Sequence, residues 1–282
     1  MFDYLVYDVF TDKAFGGNQL AVFPDAQAIP EHLLQSITRE FNFSEVTFVY
    51  PPKDPAHTAR VRIFTPTSEV DFAGHPTIGT LIALSDLGYS SPMTLELGIG
   101  PLSCTVEEGL AAFTATQPLQ RLSEPEPKLV AEALGLMEAQ INMATHAPIQ
   151  ASLGLPFVIV ELTDAAALSA CLPNLDIIRR GATRHPAGLD FAIFAYVRKD
   201  GDIASRMFAP LDNIPEDPAT GSASATLAAL LTEALDMPQT LTFTQGVDMG
   251  RPSTLYATTT LDPISVTMTG QAVKTMAGTF IL

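Results

Sequence analysis

The sequence predicts an α+β protein of two similar domains, each a barrel-like β-sheet wrapped around a central apolar helix. The chain has 282 residues, more than one core of about 100–150 residues needs. Hydrophobic residues make up 47% and charged residues 16%, so there is ample material for deep cores. A pattern in the first half also occurs in the second. A single large β-rich domain is the alternative.

The repeated pattern lies at 62–84, "RIFTPTSEVDFAGHPTIGTLIAL", and 206–230, "RMFAPLDNIPEDPATGSASATLAAL". Both segments carry Arg, any residue, Phe, any residue and Pro, followed by an acidic loop, a glycine and an apolar helix. Each helix has almost no polar face, which predicts burial on every side. Small side chains would let the surrounding sheet approach closely, at Gly79, Ala223, Ser224 and Ala225.

The sequence of the first half predicts a mixture of helices and strands. Four strands are expected, at residues 4–10, 20–23, 46–50 and 59–64. The first two flank the glycine turn "FGGNQ" and predict a hairpin. Leu33, Leu34, Ile37 and Phe41 fall at helical spacing and predict a helix that ends near Asn42.

Composition predicts where the domains divide. The Pro- and Glu-rich stretch "QPLQRLSEPEPK" is typical of a linker. We therefore expect an N-terminal domain at 1–118, a linker at 119–127 and a C-terminal domain at 128–268.

The formal net charge of −16 would repel nucleic acid and anionic membranes, and neither is expected as a partner. Cys104 and Cys171 have no C-x-x-C spacing, which fits a reducing cytoplasm. We find no targeting signal and no apolar run long enough to span a bilayer. A cytoplasmic protein is expected, and an anionic ligand would have to be held by local donors.

The starts of the two apolar helices supply such donors. The first turn of a buried helix has unpaired N–H groups that must find partners or bind a ligand. Gly74 and Gly221 would leave these groups uncovered, and His75 and Ser222 follow them at matching places. Because the helix dipole favours negative charge there, two such starts could clasp a small carboxylate.

Each candidate residue also has a purely structural interpretation. His75 could cap its helix or hydrogen-bond a neighbouring loop, and the acidic pair before Pro218, Glu216 and Asp217, could be a helix-initiation signal. Glu45 is harder to explain this way, because it lies among aromatic and β-branched residues in "NFSEVTF", where a carboxylate is costly to bury. Burial should raise its pKa toward the range of a general base.

Other chemistries have weaker signals. A hydrolase triad of Ser222, His75 and Asp217 is disfavoured because no G-x-S-x-G is present. The five histidines are scattered without metal-ligand spacing. There is no G-x-G-x-x-G or P-loop. We expect neither a metal nor a cofactor.

Five blocks resemble the PhzF-like family, named for a phenazine-biosynthesis isomerase and related in fold to diaminopimelate epimerase. They are "YDVFTDKAFGGNQLAVF" (7–23), "NFSEVTFV" (42–49), "FAGHPTIGT" (72–80), "EDPATGSA" (216–223) and "QGVDMGRPSTL" (245–255). The resemblance implies two barrel domains with the active site in the cleft between them, a last strand at 270–282 that returns to the first domain, and a homodimer.

The resemblance also implies residue roles. The residue matching Glu45 is the general acid/base that moves a proton between carbons of a cyclic dihydro-hydroxyanthranilate. Residues matching His75, Asp217 and Ser222 line the same pocket as catalytic residues. Substrate-binding positions are expected at Asn18, Ser44, Gly74, Thr220 and Gly221.

Two departures from the family pattern matter. Epimerase and racemase relatives use two cysteines, where this chain has Ala73 and Thr220, so two-thiol racemisation is not expected. "GGNQL" also replaces the commoner "GGNPL", which places Gln19 in the turn.

Together these features predict a cofactor-independent isomerase that moves a proton between carbons of a small cyclic or conjugated carboxylic acid. Two alternatives stay open. One is a non-enzymatic protein of the same fold that binds a small ligand or a partner. The other is a lyase or dehydratase that uses the same base, since removing a proton next to a leaving hydroxyl needs almost the same site.

Overall fold

A computed structural model describes residues 1–187 and 190–281. The chain divides into two compact units. The first unit is Met1–Thr114 with Met268–Leu282, and the second unit is Ala115–Thr267.

The described residues form strands and helices that are numbered here in chain order. The strands are β1 (Phe2–Val9), β2 (Asn18–Phe23), β3 (Glu45–Tyr50), β4 (Ala59–Phe64), β5 (Glu69–Val70), β6 (Met93–Leu97), β7 (Gly100–Glu107), β8 (Leu110–Ala115), β9 (Gln120–Ser123), β10 (Ile149–Ser152), β11 (Pro156–Glu161), β12 (Ile193–Lys199), β13 (Asp202–Ala209), β14 (Ile214–Asp217), β15 (Thr240–Gln245), β16 (Ser253–Leu261), β17 (Ile264–Gly270) and β18 (Ala272–Phe280). The helices are α1 (Leu34–Phe41), α2 (Gly74–Asp86), α3 (Pro127–Ala133), α4 (Ala165–Ser169), α5 (Leu175–Arg184) and α6 (Gly221–Leu235).

The elements predicted for the first half are confirmed. β1 and β2 pair antiparallel as a hairpin. α1 ends where Asn42 adopts a left-handed conformation with φ 52°, and its N–H donates to the carbonyl of Thr38. An asparagine tolerates that conformation better than most residues, so the turn into β3 begins there.

The strand pairing of the first unit is repeated in the second, which confirms the internal duplication. The first unit has antiparallel β18–β1, antiparallel β1–β2, parallel β2–β3, antiparallel β3–β4, antiparallel β4–β5, parallel β4–β6 and antiparallel β6–β7. The second has antiparallel β9–β10, antiparallel β10–β11, parallel β11–β12, antiparallel β12–β13, antiparallel β13–β14, parallel β13–β15 and antiparallel β15–β16.

Each sheet wraps around one buried helix, as predicted. In the first unit α2 contacts strands from opposite ends of the pairing order, β18 and β7, as well as β1, β2 and β3. In the second, α6 contacts β10, β11 and β16. Both helices are buried over most of their length. The sheet therefore covers the apolar surface of each helix on every side. The predicted α+β fold class is confirmed.

Further helices cover the outer faces of the sheets. In the first unit, Leu34 and Ile37 of α1 pack with Val46 and Phe48 of β3. In the second unit, α3 and α5 join a buried cluster with strands β11 and β12. Each unit therefore has three layers: an inner helix, the sheet and an outer helical layer.

The end of the first unit differs from the expected linker at 119–127. Gln120–Ser123 form β9, which pairs with β10 inside the second unit, and the boundary between the units falls at Thr114. Proline and glutamate content predicted a solvated connection, but it could not reveal a strand partner that lies about 30 residues away. β18 pairs with β1 and belongs to the first unit. Leu282, at the end of the strand expected at 270–282, lies outside the described residues.

No helix in the described ranges is long and apolar enough to cross a membrane.

The contact between α2 and its sheet depends on Gly79. A Cβ at this position would lie 2.5 Å from Leu20 Cδ2 and 2.7 Å from Val9 Cγ2. Alanine favours a helix over glycine by about 1 kcal/mol, whereas overpacking a core costs about 1–3 kcal/mol. Because both neighbours are fully buried, we expect the overpacking cost in Gly79→Ala to exceed the gain in helix propensity, with a net loss of up to about 2 kcal/mol in unfolding free energy.

Urea unfolding measures this difference. Ser36→Ala on the exposed face of α1 is the control and should change stability by less than about 0.5 kcal/mol. A Gly79→Ala protein as stable as the wild type would show that sheet and helix do not need this close approach.

Candidate active site

The two buried helices begin without side-chain caps. Ala73 precedes α2 and Thr220 precedes α6, and neither side chain accepts a hydrogen bond from the helix. In α2, Pro76 has no N–H to offer, and the N–H groups of Gly74 and His75 have no hydrogen-bond acceptor among the described residues. Each unit therefore presents a positive helix end with unused donors.

A first half-site, defined as Asn18, Ser44, Glu45, Gly74 and His75, lies within the first unit. Asn18 begins β2 and Glu45 begins β3, while Gly74 and His75 begin α2. Ser44 is half-buried directly before Glu45. The parallel register pairs Glu45 with Leu20, two residues beyond Asn18. The sequence-predicted residues of this unit therefore come together.

The β1–β2 turn fixes the position of Asn18. The Asp8 carboxylate accepts a 2.7 Å hydrogen bond from the Phe15 N–H. Gly17 has φ 62°, and a side chain there would clash with the carbonyl oxygen of Val9. The glycine is therefore needed for close approach of the turn to β1. Sequence reasoning did not single out Asp8, which lies inside the "YDVF" block.

His75 is 4% exposed, and its Nδ1 lies 3.4 Å from Glu45 Oε2 and 3.4 Å from Asn18 Nδ2. Burial lowers its pKa to about 3, and a hydrogen bond to the Gln19 backbone opposes this only in part. The imidazole is therefore neutral at pH 7. It does not act as a side-chain cap for α2, so the capping interpretation is wrong.

The ring nitrogens of His75 have different surroundings. Nδ1 lies near the Asn18 amide and the Glu45 carboxylate, whereas the buried Nε2 has no hydrogen-bond partner among the described residues. A buried polar atom without a partner is costly. Nε2 is therefore available for a hydrogen bond with a substrate hydroxyl or amine.

A second half-site, defined as Asp217, Thr220, Gly221, Ser222 and Gln245, lies within the second unit. Asp217 ends β14, and its Oδ2 accepts a 2.6 Å hydrogen bond from Thr220 Oγ1. Ser222 is half-buried in the first turn of α6. Asp217 is buried in a strand and Thr220 is the residue before the helix, so helix initiation does not explain this carboxylate.

Gln245 connects Asp217 and Thr220 of this half-site through hydrogen bonds. Sequence reasoning assigned it no role. Its Oε1 accepts from the Thr220 N–H at 3.1 Å. Its Nε2 donates to the Asp217 carbonyl at 2.8 Å and to Thr220 Oγ1 at 2.9 Å. Gln245 is fully buried. A glutamine that ends a strand at the head of the "QGVDMGRPSTL" block is the signal that could have identified it.

The duplication makes the two half-sites comparable. Val46 pairs with Phe64 in the first unit as Ile193 pairs with Phe208 in the second. The residue before each strand pair is then Glu45 in one unit and Ala192 in the other. His75 and Ser222 likewise follow equivalent glycines. Of the equivalent positions 45 and 192, only position 45, in the first unit, therefore carries a side chain that could act as an acid or base.

Among the described residues, no cluster of three or more His, Cys, Asp or Glu side chains could hold a metal ion. Both cysteines are buried, and burial raises the pKa of each thiol to about 12. Neither provides a reactive thiolate near neutral pH.

Solved structures of an epimerase and of a predicted epimerase share this fold. A hydroxyproline epimerase from Agrobacterium vitis matches 98% of this chain over 90% of its own, with a TM-score of 0.62 at 14% identity. A predicted epimerase from Pseudomonas aeruginosa covers 100% of both chains with a TM-score of 0.83 at 30% identity.

A family model described as phenazine biosynthesis-like protein matches residues 7–278. The chain belongs to this family, which the sequence motifs indicated. An uncharacterized isomerase of Mesorhizobium japonicum is 36% identical and covers 98% of this chain and 97% of its own. The trans-2,3-dihydro-3-hydroxyanthranilate isomerase of Pseudomonas aeruginosa is 36% identical over 91% of this chain and 90% of its own.

The neutral state of His75 predicts an acid-sensitive fold. Its pKa is about 3 in the folded protein and about 6.5 when unfolded. Between these values the unfolded state binds more protons, so stability is lost as pH falls. His75→Gln removes this term. From pH 7 to pH 4.5 we expect the variant to lose roughly 2–3 kcal/mol less unfolding free energy than the wild type.

Urea unfolding at both pH values measures this difference, with exposed His32→Gln as the control. Parallel losses in wild type and His75→Gln would show that His75 is not held neutral by burial.

Gln245→Leu should destabilise the second unit. The change keeps an apolar body of similar size but leaves the buried Thr220 N–H without an acceptor, at a cost of about 2–3 kcal/mol. Gln239→Leu is the matched control, because Gln239 is less buried and, among the described residues, its side chain bonds only to the Met237 carbonyl. Equal urea midpoints for the two variants would contradict the role assigned to Gln245.

Proposed function

We propose that this protein is a cofactor-independent isomerase that moves a proton between carbons of a small cyclic or conjugated carboxylic acid. Two of its curated relatives carry isomerase names, and one of them is named as an isomerase of a cyclic hydroxy acid. The observation that carries the proposal is the carboxylate of Glu45 beside a buried neutral His75 at an uncapped helix start.

Glu45 is the general acid/base of this proposal. It takes a proton from one carbon of the substrate and returns it to another carbon on the same face. Its side chain is 14% exposed, which leaves an approach for a substrate while removing most water. A carboxylate held beside the substrate in such an environment can accept a proton directly from carbon. The neutral His75 adds no positive charge that would weaken this base.

One base fits proton transfer on a single face better than inversion at one carbon. Inversion with two bases needs an acid/base on each side of the carbon. The position equivalent to Glu45 holds Ala192, and the positions before the helix glycines hold Ala73 and Thr220 rather than cysteines. These residues argue against a two-base racemase.

The remaining groups stabilise the charge that develops on the substrate. Removing a proton from carbon leaves a carbanion, and its negative charge must be delocalised into the conjugated acid of the substrate. Fixed donors in a dry site can each stabilise that charge by a few kcal/mol. The uncapped N–H groups at Gly74 and Gly221 are donors of this kind. His75 Nε2 and Asp217 would orient a substrate hydroxyl or amine.

In this proposal Ser222 is a catalytic residue that assists, and Asn18, Ser44 and Thr220 are binding residues. A cytoplasmic location and a homodimer stay predictions.

Solvent exchange tests the reaction without knowledge of the product. The protein is incubated in D₂O with a panel of cyclic and unsaturated acids, beginning with trans-2,3-dihydro-3-hydroxyanthranilate, and C–H signals are followed by NMR. Glu45→Gln should reduce exchange and turnover at least about 10²-fold while the circular dichroism spectrum is kept.

Glu40→Gln, on the exposed end of α1, is the matched control and should behave as the wild type. Near-wild-type exchange by Glu45→Gln would remove this residue from the role. A wild type that binds an acid and exchanges none of its C–H protons would favour a protein that only binds its ligand.

A further inference from the structure

An arginine–glutamate pair stands before the active-site helix of the first unit. Arg62 of β4 donates from Nε to Glu69 Oε1 at 2.7 Å and from Nη2 to Glu69 Oε2 at 2.6 Å. Its third nitrogen, Nη1, donates to Glu31 Oε1 at 2.9 Å. The guanidinium lies over the ring of Phe64, with Cζ 5.1 Å from the centroid.

The second unit contains the same pair with the same atoms. Arg206 of β13 donates from Nε to Glu216 Oε1 and from Nη2 to Glu216 Oε2, both at 2.8 Å. Its Nη1 donates to the carbonyls of residues 168, 169 and 171 at the end of α4. The guanidinium lies over the ring of Phe208 at 4.9 Å. We define these pairs, Arg62–Glu69 and Arg206–Glu216, as the two clamps.

In both clamps the glutamate lies the same number of residues before the helix start. The glutamate follows its arginine by seven residues in the first unit and by ten in the second. From the glutamate to the helix glycine, both units have five residues, ending at Gly74 and Gly221. The three extra residues of the second unit therefore lie between the arginine and the glutamate. The segment that leads into each half-site has the same length.

Each clamp joins three elements. Arg62 connects β4 to β5 through Glu69 and, through Glu31, to the 3-10 turn that precedes α1. The chain then continues through α1 to Glu45. Arg206 connects β13 to β14 through Glu216, whose neighbour is Asp217, and to the end of α4. Both arginines are largely buried, at 18% and 12% exposure. A bidentate fork fixes the orientation of its partner as well as the distance, and stacking on the ring fixes the plane of the guanidinium.

We propose that the two clamps are positioning pairs that hold the two helix starts in the positions that catalysis needs. Through the helix starts they also position Glu45, His75 and Asp217. The proposal rests on the proposed function. The clamp residues need no contact with substrate, because they act through the five-residue segments that they anchor. A displacement of about 1 Å in such segments can cost about 10²-fold in rate.

Arginine-to-lysine changes test this role. Lysine keeps the charge but cannot form the planar fork. We expect Arg62→Lys and Arg206→Lys each to lower kcat about 10–100-fold at saturating substrate, at a temperature where both variants are fully folded by circular dichroism. Glu69→Gln and Glu216→Gln keep the shape of the partner and weaken the fork, so they should lower kcat in the same direction by less.

Arg121→Lys is the matched control. Arg121 donates from Nε and Nη2 to Glu233 Oε1 at 2.9 and 2.6 Å, but this exposed pair joins β9 to the last turns of α6, remote from the start at Gly221. Its kcat should equal that of the wild type. A lower melting temperature with unchanged kcat in both clamp variants would make the clamps merely structural and overturn the proposal.

The clamps can also be tested independently of the proposed function. If the wild type exchanges no C–H proton of any acid, the isomerase proposal fails by itself. The clamps are then tested by the ¹⁵N–¹H spectrum of the full chain. Arg62→Lys must shift the amide signals of Gly74 and His75, and Arg206→Lys those of Gly221 and Ser222. Unshifted signals at these four amides would also overturn the proposal.

Discussion

The burial of a helix without a polar face is the constraint on which this structure depends. A sheet that surrounds α2 or α6 satisfies the apolar side chains along the whole helix. It cannot satisfy the first-turn N–H groups, which have no partner one turn earlier. With alanine or an inward-bonded threonine before the helix, these donors stay available. The same packing that stabilises each unit therefore creates a place for negative charge at its helix start.

Duplication provides two such starts, and substitution has made them different. The first unit has a carboxylate at position 45 and an imidazole at position 75. The second unit has alanine and serine at the equivalent positions, and its carboxylate, Asp217, lies one turn before the helix. Both units keep the arginine fork that anchors the approach to the helix. The side chains at the helix starts differ between the units, while the arginine–glutamate pairs have been kept.

Much of the fold could be predicted from the sequence because its signals are local. The apolar helices, the glycine hairpin and the strand that begins at Glu45 are visible within about ten residues. His75, Asp217 and Ser222 could be named because they lie in the repeated motif, whereas Glu45 could be named from its aromatic and β-branched neighbours. The linker prediction at 119–127 failed because the pairing of β9 with β10 is a long-range contact. Gln245 was missed for the same reason, since it acts on Thr220, 25 residues earlier.

We propose that the helix starts at Gly74 and Gly221 bind a carboxylate, and the proposed chemistry depends on this binding. It can be measured by NMR titration of the ¹⁵N-labelled full chain, with benzoate as the probe and benzamide as its uncharged counterpart. Saturable shifts are expected at the amides of Gly74, His75, Gly221 and Ser222 with benzoate, and much weaker shifts with benzamide. Equal responses to both probes, or shifts confined to other parts of the chain, would contradict it.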